Sequence, residues 1–159
     1  PGDLGQGGER ASPCGSRRFR RGGECLATTA ERSTVILVDT SVWIDHLHHT
    51  NPKLRDLLHH DEIGFHPLVI EELATGSLAA RDDTLRYLSY LHRFPVLSHE
   101  EFLVLVRTHA LWGRGLSPVD VHLLGSVALV PGALLWTRDK RLFRAAEELE
   151  ISYLGGSTA

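Results

Sequence analysis

An α/β fold with a short parallel sheet is predicted by three features of this sequence. The uninterrupted apolar runs Val35–Val38 and Ala133–Trp136 have the length and composition of strands buried on both faces. Segments of helical periodicity separate the runs, and no internal repeat breaks the alternation. Each run also ends directly in hydroxyls and an acid, Asp39-Thr40-Ser41 after the first and Thr137-Arg138-Asp139 after the second. Parallel strands joined by right-handed crossovers bring their carboxyl ends to one edge, the edge where open α/β sheets bind ligands. Asp39 and Asp139 are expected there together.

The strand at Val35–Val38 leads into a helix opened by Thr40 or Ser41 and reaching about His49, with Val42, Trp43, Ile44 and Leu47 at helical spacing. Asn51-Pro52 starts a second helix, with Leu54, Leu57 and Leu58 on one face. Glu62 to His66 reads as the next strand. Pro67 begins a helix that Gly76 ends, and its buried stripe is Val69, Ile70 and Leu73. Glu72 lies on the flank of that stripe, within reach of Asp39, while Glu71 points to water. A helix over Arg81–Leu91 follows, then a short strand or extended link at Phe94–Leu97. The next helix runs from His99 to about Gly113 on a stripe of Phe102, Leu103, Val106, Ala110 and Leu111. Ser117 and Pro118 open the most apolar helix, where Ser117 is the expected N-cap and Asp120 can close a capping box. After the strand at Ala133–Trp136, Thr137 is expected to cap a helix from about Asp139 to Glu150, and Ile151–Leu154 reads as a last strand.

A chain of 159 residues is long enough for one domain with a sizeable core. Its formal charge of −3 excludes a broadly basic nucleic-acid-binding surface. No apolar run approaches the ~18 residues of a membrane span and no leader resembles a signal peptide, so a cytoplasmic protein without membrane association is expected. Cys14 and Cys25 both fall in the first quarter and cannot form a disulfide framework for the rest. The first 34 residues, rich in Gly, Ser and Arg, carry six arginines against four acids and show no periodicity. A basic RNA-contacting tail is one interpretation; the preferred one is an unstructured extension, or translation from an upstream start with the natural start at Val35. The domain then spans 35–154, and 155–159 form a frayed end.

Four acids stand out by position: Asp39 and Asp139 after strands, Asp120 at a helix start, Glu72 on a helix flank. Each has a simpler reading, as a helix cap for Asp39 and Asp120 or as a solvated side chain for Glu72. Gathered without a cation they would repel one another, and an all-oxygen cluster lacking cysteine or paired histidine suits Mg2+ or Mn2+. His48-His49 and His59-His60 lack the spacing of a zinc enzyme and read as surface residues. His122, beside Asp120, is a weaker candidate for substrate contact.

The motifs Val-Asp39-Thr-Ser-Val-Trp-Ile-Asp, Val-Ile-Glu-Glu72-Leu-Ala-Thr-Gly, Ser-Pro-Val-Asp120-Val-His-Leu-Leu and Leu-Trp-Thr-Arg-Asp139-Lys-Arg-Leu, in this order, resemble those of PIN-domain ribonucleases. The likeness is greatest to the VapC toxins of bacterial toxin–antitoxin pairs and runs from Val35 to about Leu154. It implies a PIN-like three-layer α/β/α domain in which Asp39, Glu72, Asp120 and Asp139 bind Mg2+ or Mn2+, with Thr137 or Thr40 positioning a water or the scissile phosphate. The implied activity is metal-dependent hydrolysis of RNA without a side-chain nucleophile. The implied partners are a VapB-like antitoxin covering the acids and a second copy of the chain, with Trp43 and Trp112 as available apolar area. Glu71 and Pro118 depart from the family pattern and bear on the shape of the substrate groove. Arg114, Arg138, Lys140 and Arg141 are candidates for flanking phosphates.

Two other enzyme classes fit less well. A dehalogenase-like phosphatase needs a second aspartate where Ser41 stands, and a phospho-receiver needs an acidic pair near the first strand. The remaining alternative is a catalytically silent α/β module that binds RNA or protein.

Overall fold

The computed structural model describes residues 34–155. The expected extension, except Thr34, lies outside the described residues, as do Cys14, Cys25 and all of 155–159 but Gly155. The elements in order are β1 (Ile36–Val38), α1 (Thr40–His48), α2 (Pro52–His59), β2 (Ile63–Phe65), α3 (Pro67–Thr75), α4 (Arg81–Ser89), β3 (His92–Arg93), α5 (His99–Thr108), α6 (Pro118–Ala128), β4 (Leu134–Trp136) and α7 (Lys140–Glu148).

The four strands form one parallel sheet in the order β3-β2-β1-β4. From β1 the chain builds outward to β2 and β3, then returns to place β4 on the other side of β1. The β1/β4 boundary is therefore the point where strand order reverses, which opens a crevice at the strands' carboxyl ends. Register there pairs Val38 with Trp136, so the two chains leave the sheet side by side. A parallel bridge between Leu135 and Ser152 is all that forms of the expected last strand. It is pinned by Leu135 N to Ile151 O at 2.7 Å and Tyr153 N to Leu135 O at 2.8 Å.

Helix packing falls into two groups, α1 with α3 and α4, and α5 with α6 and α7, which form the outer layers of the expected three-layer arrangement. Ile36, Leu37, Val38, Leu135 and Trp136 are buried between them, as an uninterrupted apolar strand requires. Trp43 belongs to this core rather than to a surface, whereas Trp112 is 64% exposed. Ile44 and Leu47, on the same helix as Trp43, are exposed.

Several boundaries differ from the sequence expectation. The third strand is the polar pair His92–Arg93, not Phe94–Leu97. Phe94 N still donates to Phe65 O at 2.9 Å, but Pro95 has no N–H and the ladder stops. An exposed edge strand of His and Arg carries no apolar signal. Helix α4 stops at Ser89 rather than Leu91. Helix α5 ends at Thr108, because Ala110 turns left-handed at φ 48°, so it does not reach Gly113. Its contact face is Phe102, Leu105 and Val106, while Leu103 and Ala110 are exposed. Helix α7 starts at Lys140, capped by Asp139 rather than Thr137, and Glu150 at φ 58° lies beyond its end. Ser117 and Asp120 do form the expected capping box on α6.

Gly64 in β2 is fixed by packing. A Cβ there would lie 2.4 Å from the Phe94 ring and 2.8 Å from the His92 carbonyl oxygen. The carbonyl belongs to the paired strand and cannot rotate away. Gly64→Ala is expected to lower stability by about 1–3 kcal/mol through overpacking, read as a lower urea midpoint; an unchanged midpoint would show that β3 yields easily.

Candidate active site

Asp39 is the first residue after β1, and its backbone N–H donates to Trp136 O at 2.9 Å, which ties it to the end of β4. It stands at the N-cap position of α1 but its side chain makes no cap bond. The simpler reading of Asp39 as a helix cap is thereby removed. Instead Oδ2 accepts from Ser41 Oγ at 2.6 Å and from Thr137 Oγ1 at 2.8 Å. Both hydroxyls are held in turn, Ser41 Oγ accepting from Arg138 N at 3.1 Å and Thr137 Oγ1 from Asp139 N at 3.0 Å. Asp39 is only 7% exposed, and a buried carboxylate needs such donors. Ser41, expected only as an alternative opener of the helix, proves to be a direct partner of Asp39.

The other three acids are each held by hydrogen bonds as well, local ones for Asp139 and Asp120 and a long-range one for Glu72. Asp139 Oδ1 caps α7, accepting from Arg141 N at 2.7 Å and Leu142 N at 3.0 Å. Asp120 Oδ2 accepts from Ser117 N at 2.7 Å. Glu72 Oε2 accepts from Thr40 Oγ1 at 2.6 Å, which links α3 to the residue beside Asp39. Glu72 and its neighbour Glu71 are both exposed, and Glu71 takes no part in this bond. In all four acids one carboxylate oxygen is oriented by a donor, and no described residue donates to the other.

Burial raises the Asp120 carboxyl above its ordinary value, and the nearby carboxylates of Asp39 and Asp139 push it the same way against the opposing Ser117 bonds. The three aspartates therefore share one electrostatic neighbourhood at the carboxyl ends of β1 and β4, while Glu72 is tied to Thr40, the residue after Asp39. Among the described residues no three His, Cys, Asp or Glu side chains sit close enough together to hold an ion as they stand. The donor chemistry nevertheless fits a hard divalent cation: four carboxylates, each with an oxygen unclaimed by a described donor, and one with its charged form disfavoured by burial and, to a lesser extent, by its neighbours.

His66, which the sequence reading passed over, is wholly buried at the end of β2. Its Nδ1 accepts from Leu68 N at 3.1 Å and caps α3, the helix that carries Glu72. Burial first, then the His122 and Arg93 charges, push its imidazole down to about 4. It is a neutral cap at neutral pH. His122 packs on Phe102 with ring centroids 5.0 Å apart and on His66 at 6.3 Å, so it belongs to the packing behind the acids.

The four cations proposed for phosphates separate into two kinds. Arg114 pairs with Glu148, Arg138 pairs with Asp45 at 2.6 Å, and Arg141 donates to Gly115 O at 3.3 Å. Lys140 makes no ion pair or hydrogen bond to a described residue.

Residues 36–148 match the PIN domain family model. The chain is 60% identical over 118 residues to Ribonuclease VapC32 of Mycobacterium tuberculosis, in two strains, an alignment covering 74% of this chain and 95% of that protein. A crystal structure of PAE2754 from Pyrobaculum aerophilum superposes with a TM-score of 0.52 at 22% identity, covering 78% of this chain and 88% of that one. That likeness concerns the fold alone.

The raised Asp120 carboxyl makes a stability prediction. Its ionised form is less favourable folded than unfolded, so the penalty is absent below the unfolded value of about 3.9. The penalty grows as pH rises through the higher folded value, and is complete above it. Asp120→Asn keeps an acceptor for Ser117 N and removes the charge. In EDTA it is expected to raise the urea midpoint at pH 7, with the gain vanishing below about pH 4. An equal or lower midpoint at pH 7 would mean that burial and the neighbouring aspartates do not disfavour the ionised form.

Proposed function

The chain belongs to the PIN-domain family, and from that premise we propose that it is a metal-dependent endoribonuclease acting as the toxin of a toxin–antitoxin pair. The observation that carries the reading is the buried Asp39, bridged by hydroxyls from both sides of the crevice and neighboured by Asp120 and Asp139. The relatives named ribonucleases add the substrate class.

In this reading Asp39, Glu72, Asp120 and Asp139 hold Mg2+ or Mn2+. Bound there, the ion supplies positive charge at the scissile phosphate and lowers the pKa of the attacking water. The chain's own contribution is positional. Ser41 and Thr137 fix the Asp39 carboxylate so that its second oxygen faces one direction only, the outer-shell role that orients metal ligands. Thr40 does the same for Glu72, and the α6 and α7 caps do so for Asp120 and Asp139. No serine, cysteine or histidine needs to attack phosphorus.

A VapB-like antitoxin would cover this acidic crevice, and its cationic groups would satisfy the carboxylates in place of the metal. Pairing with a second copy would use exposed apolar residues such as Leu103, Val104 and Trp112. Among the described residues no helix is long and apolar enough to cross a membrane, which is compatible with a cytoplasmic toxin.

The test is cleavage of a panel of cellular RNAs by antitoxin-free protein with Mg2+ or Mn2+, with EDTA and Asp39→Asn as controls. Products should appear only with metal and disappear in the variant. Thr137→Val, which removes one donor to Asp39 but no carboxylate, is expected to lower the rate by roughly 10–100-fold. Intact RNA throughout, from folded and metal-loaded protein, would favour the silent binding module.

A further inference from the structure

We propose that the cleft walled by Thr137, Arg138, Lys140, Phe143, Arg144 and Glu147 is the subsite for the nucleotide next to the cut: Phe143 stacks on its base, while Lys140 and Arg144 hold its phosphate. The ligand is single-stranded RNA, and the inference rests on the ribonuclease reading.

The first support is contiguity. The cleft occupies about 310 Å3, at the small end of ligand clefts. One of its walls is Thr137, whose hydroxyl donates to Asp39. A nucleotide lying there is one residue of the chain's own network away from the acids.

The second support is charge. Arg114, Arg138 and Arg141 are engaged by Glu148, Asp45 and the Gly115 carbonyl. Lys140 and Arg144 have no ion pair or hydrogen bond to a described residue, and both are exposed. Four residues apart on α7, they lie on one face and both line the cleft. Two uncommitted cations beside a cluster of carboxylates suit a phosphate that must lie alongside the acids without touching them. Glu147, on the next turn, repels that phosphate and keeps it at the Lys140 end.

The third support is shape. Phe143 is half-buried, with its ring lining the cleft while Leu142, Ala145 and Ala146 face the core. An aromatic face beside a pair of cations is the arrangement with which proteins hold unpaired bases, because every base has a π-face. A paired base is already stacked and cannot use it.

The experiment measures binding of a fluorescein-labelled single-stranded RNA by anisotropy in Ca2+, with hydrolysis by the parent protein in Mg2+ followed in parallel. Phe143→Leu is expected to weaken binding about 10-fold, with Phe143→Tyr restoring it. A double-stranded RNA of the same length should lose no affinity on Phe143→Leu. Lys140→Gln and Arg144→Gln, exposed and safe for folding, should each flatten the salt dependence by about 0.7 in log–log slope. Unchanged affinity and slope in all of these variants, or no binding by the parent, would overturn the subsite. Binding that depends on these residues without any hydrolysis would overturn the ribonuclease reading and leave the subsite standing as a binding site.

Discussion

The hydrogen bond from Thr137 to Asp39 is the contact on which the rest of the candidate site depends. It spans 98 residues of sequence and joins the ends of two strands that are neighbours only because β4 returns to the free side of β1. At that reversal the helices that follow the two strands diverge, leaving a crevice with no backbone to fill it. A buried carboxylate there would be costly without donors, and Ser41 and Thr137 supply them from opposite sides. The constraint therefore does two things at once: it makes Asp39 tolerable in the folded state and it fixes the direction of the carboxylate.

The remaining acids follow the same economy. Asp120 and Asp139 are structural residues by any local criterion, one closing a capping box and the other capping α7. A cap bond engages one oxygen and sets the rotamer, which preorganises the second oxygen at no additional ordering cost. Helix starts are suited to this work, since the dipole favours the ionised form while the neighbouring aspartates oppose it. At Asp120 burial and those neighbours outweigh the capping bonds, and the carboxyl is raised. A capping bond to one oxygen and a role for the other are compatible at both residues, because each cap engages a single oxygen.

The cations show the complementary pattern. Although the sequence holds fifteen arginines and two lysines, those nearest the crevice in the described chain are mostly spent on holding the fold. Arg141 packs its guanidinium against Gly115, whose φ of 73° and missing side chain leave room for it. What is left uncommitted lies on one face of one helix.

The sequence by itself determined the fold class and the order of its parts, because apolar runs, helical periods and caps are local properties. Val35–Val38 and Ala133–Trp136 read as buried strands, and Ser117 with Asp120 offered a capping box, both of which the fold contains. Acids placed after strands already pointed to one edge of a parallel sheet. Tertiary structure alone decided which hydroxyls serve Asp39, since Ser41 is two residues away and Thr137 is remote. It also decided that Asp139 and not Thr137 caps α7, that Trp43 is core, that Pro95 ends the third strand, and that His66 sits buried as a neutral cap. The division has a physical reason. Local pattern fixes what each segment is, but hydrogen-bond partners, burial and the spending of charge depend on which segments meet, and only the packed chain contains that information.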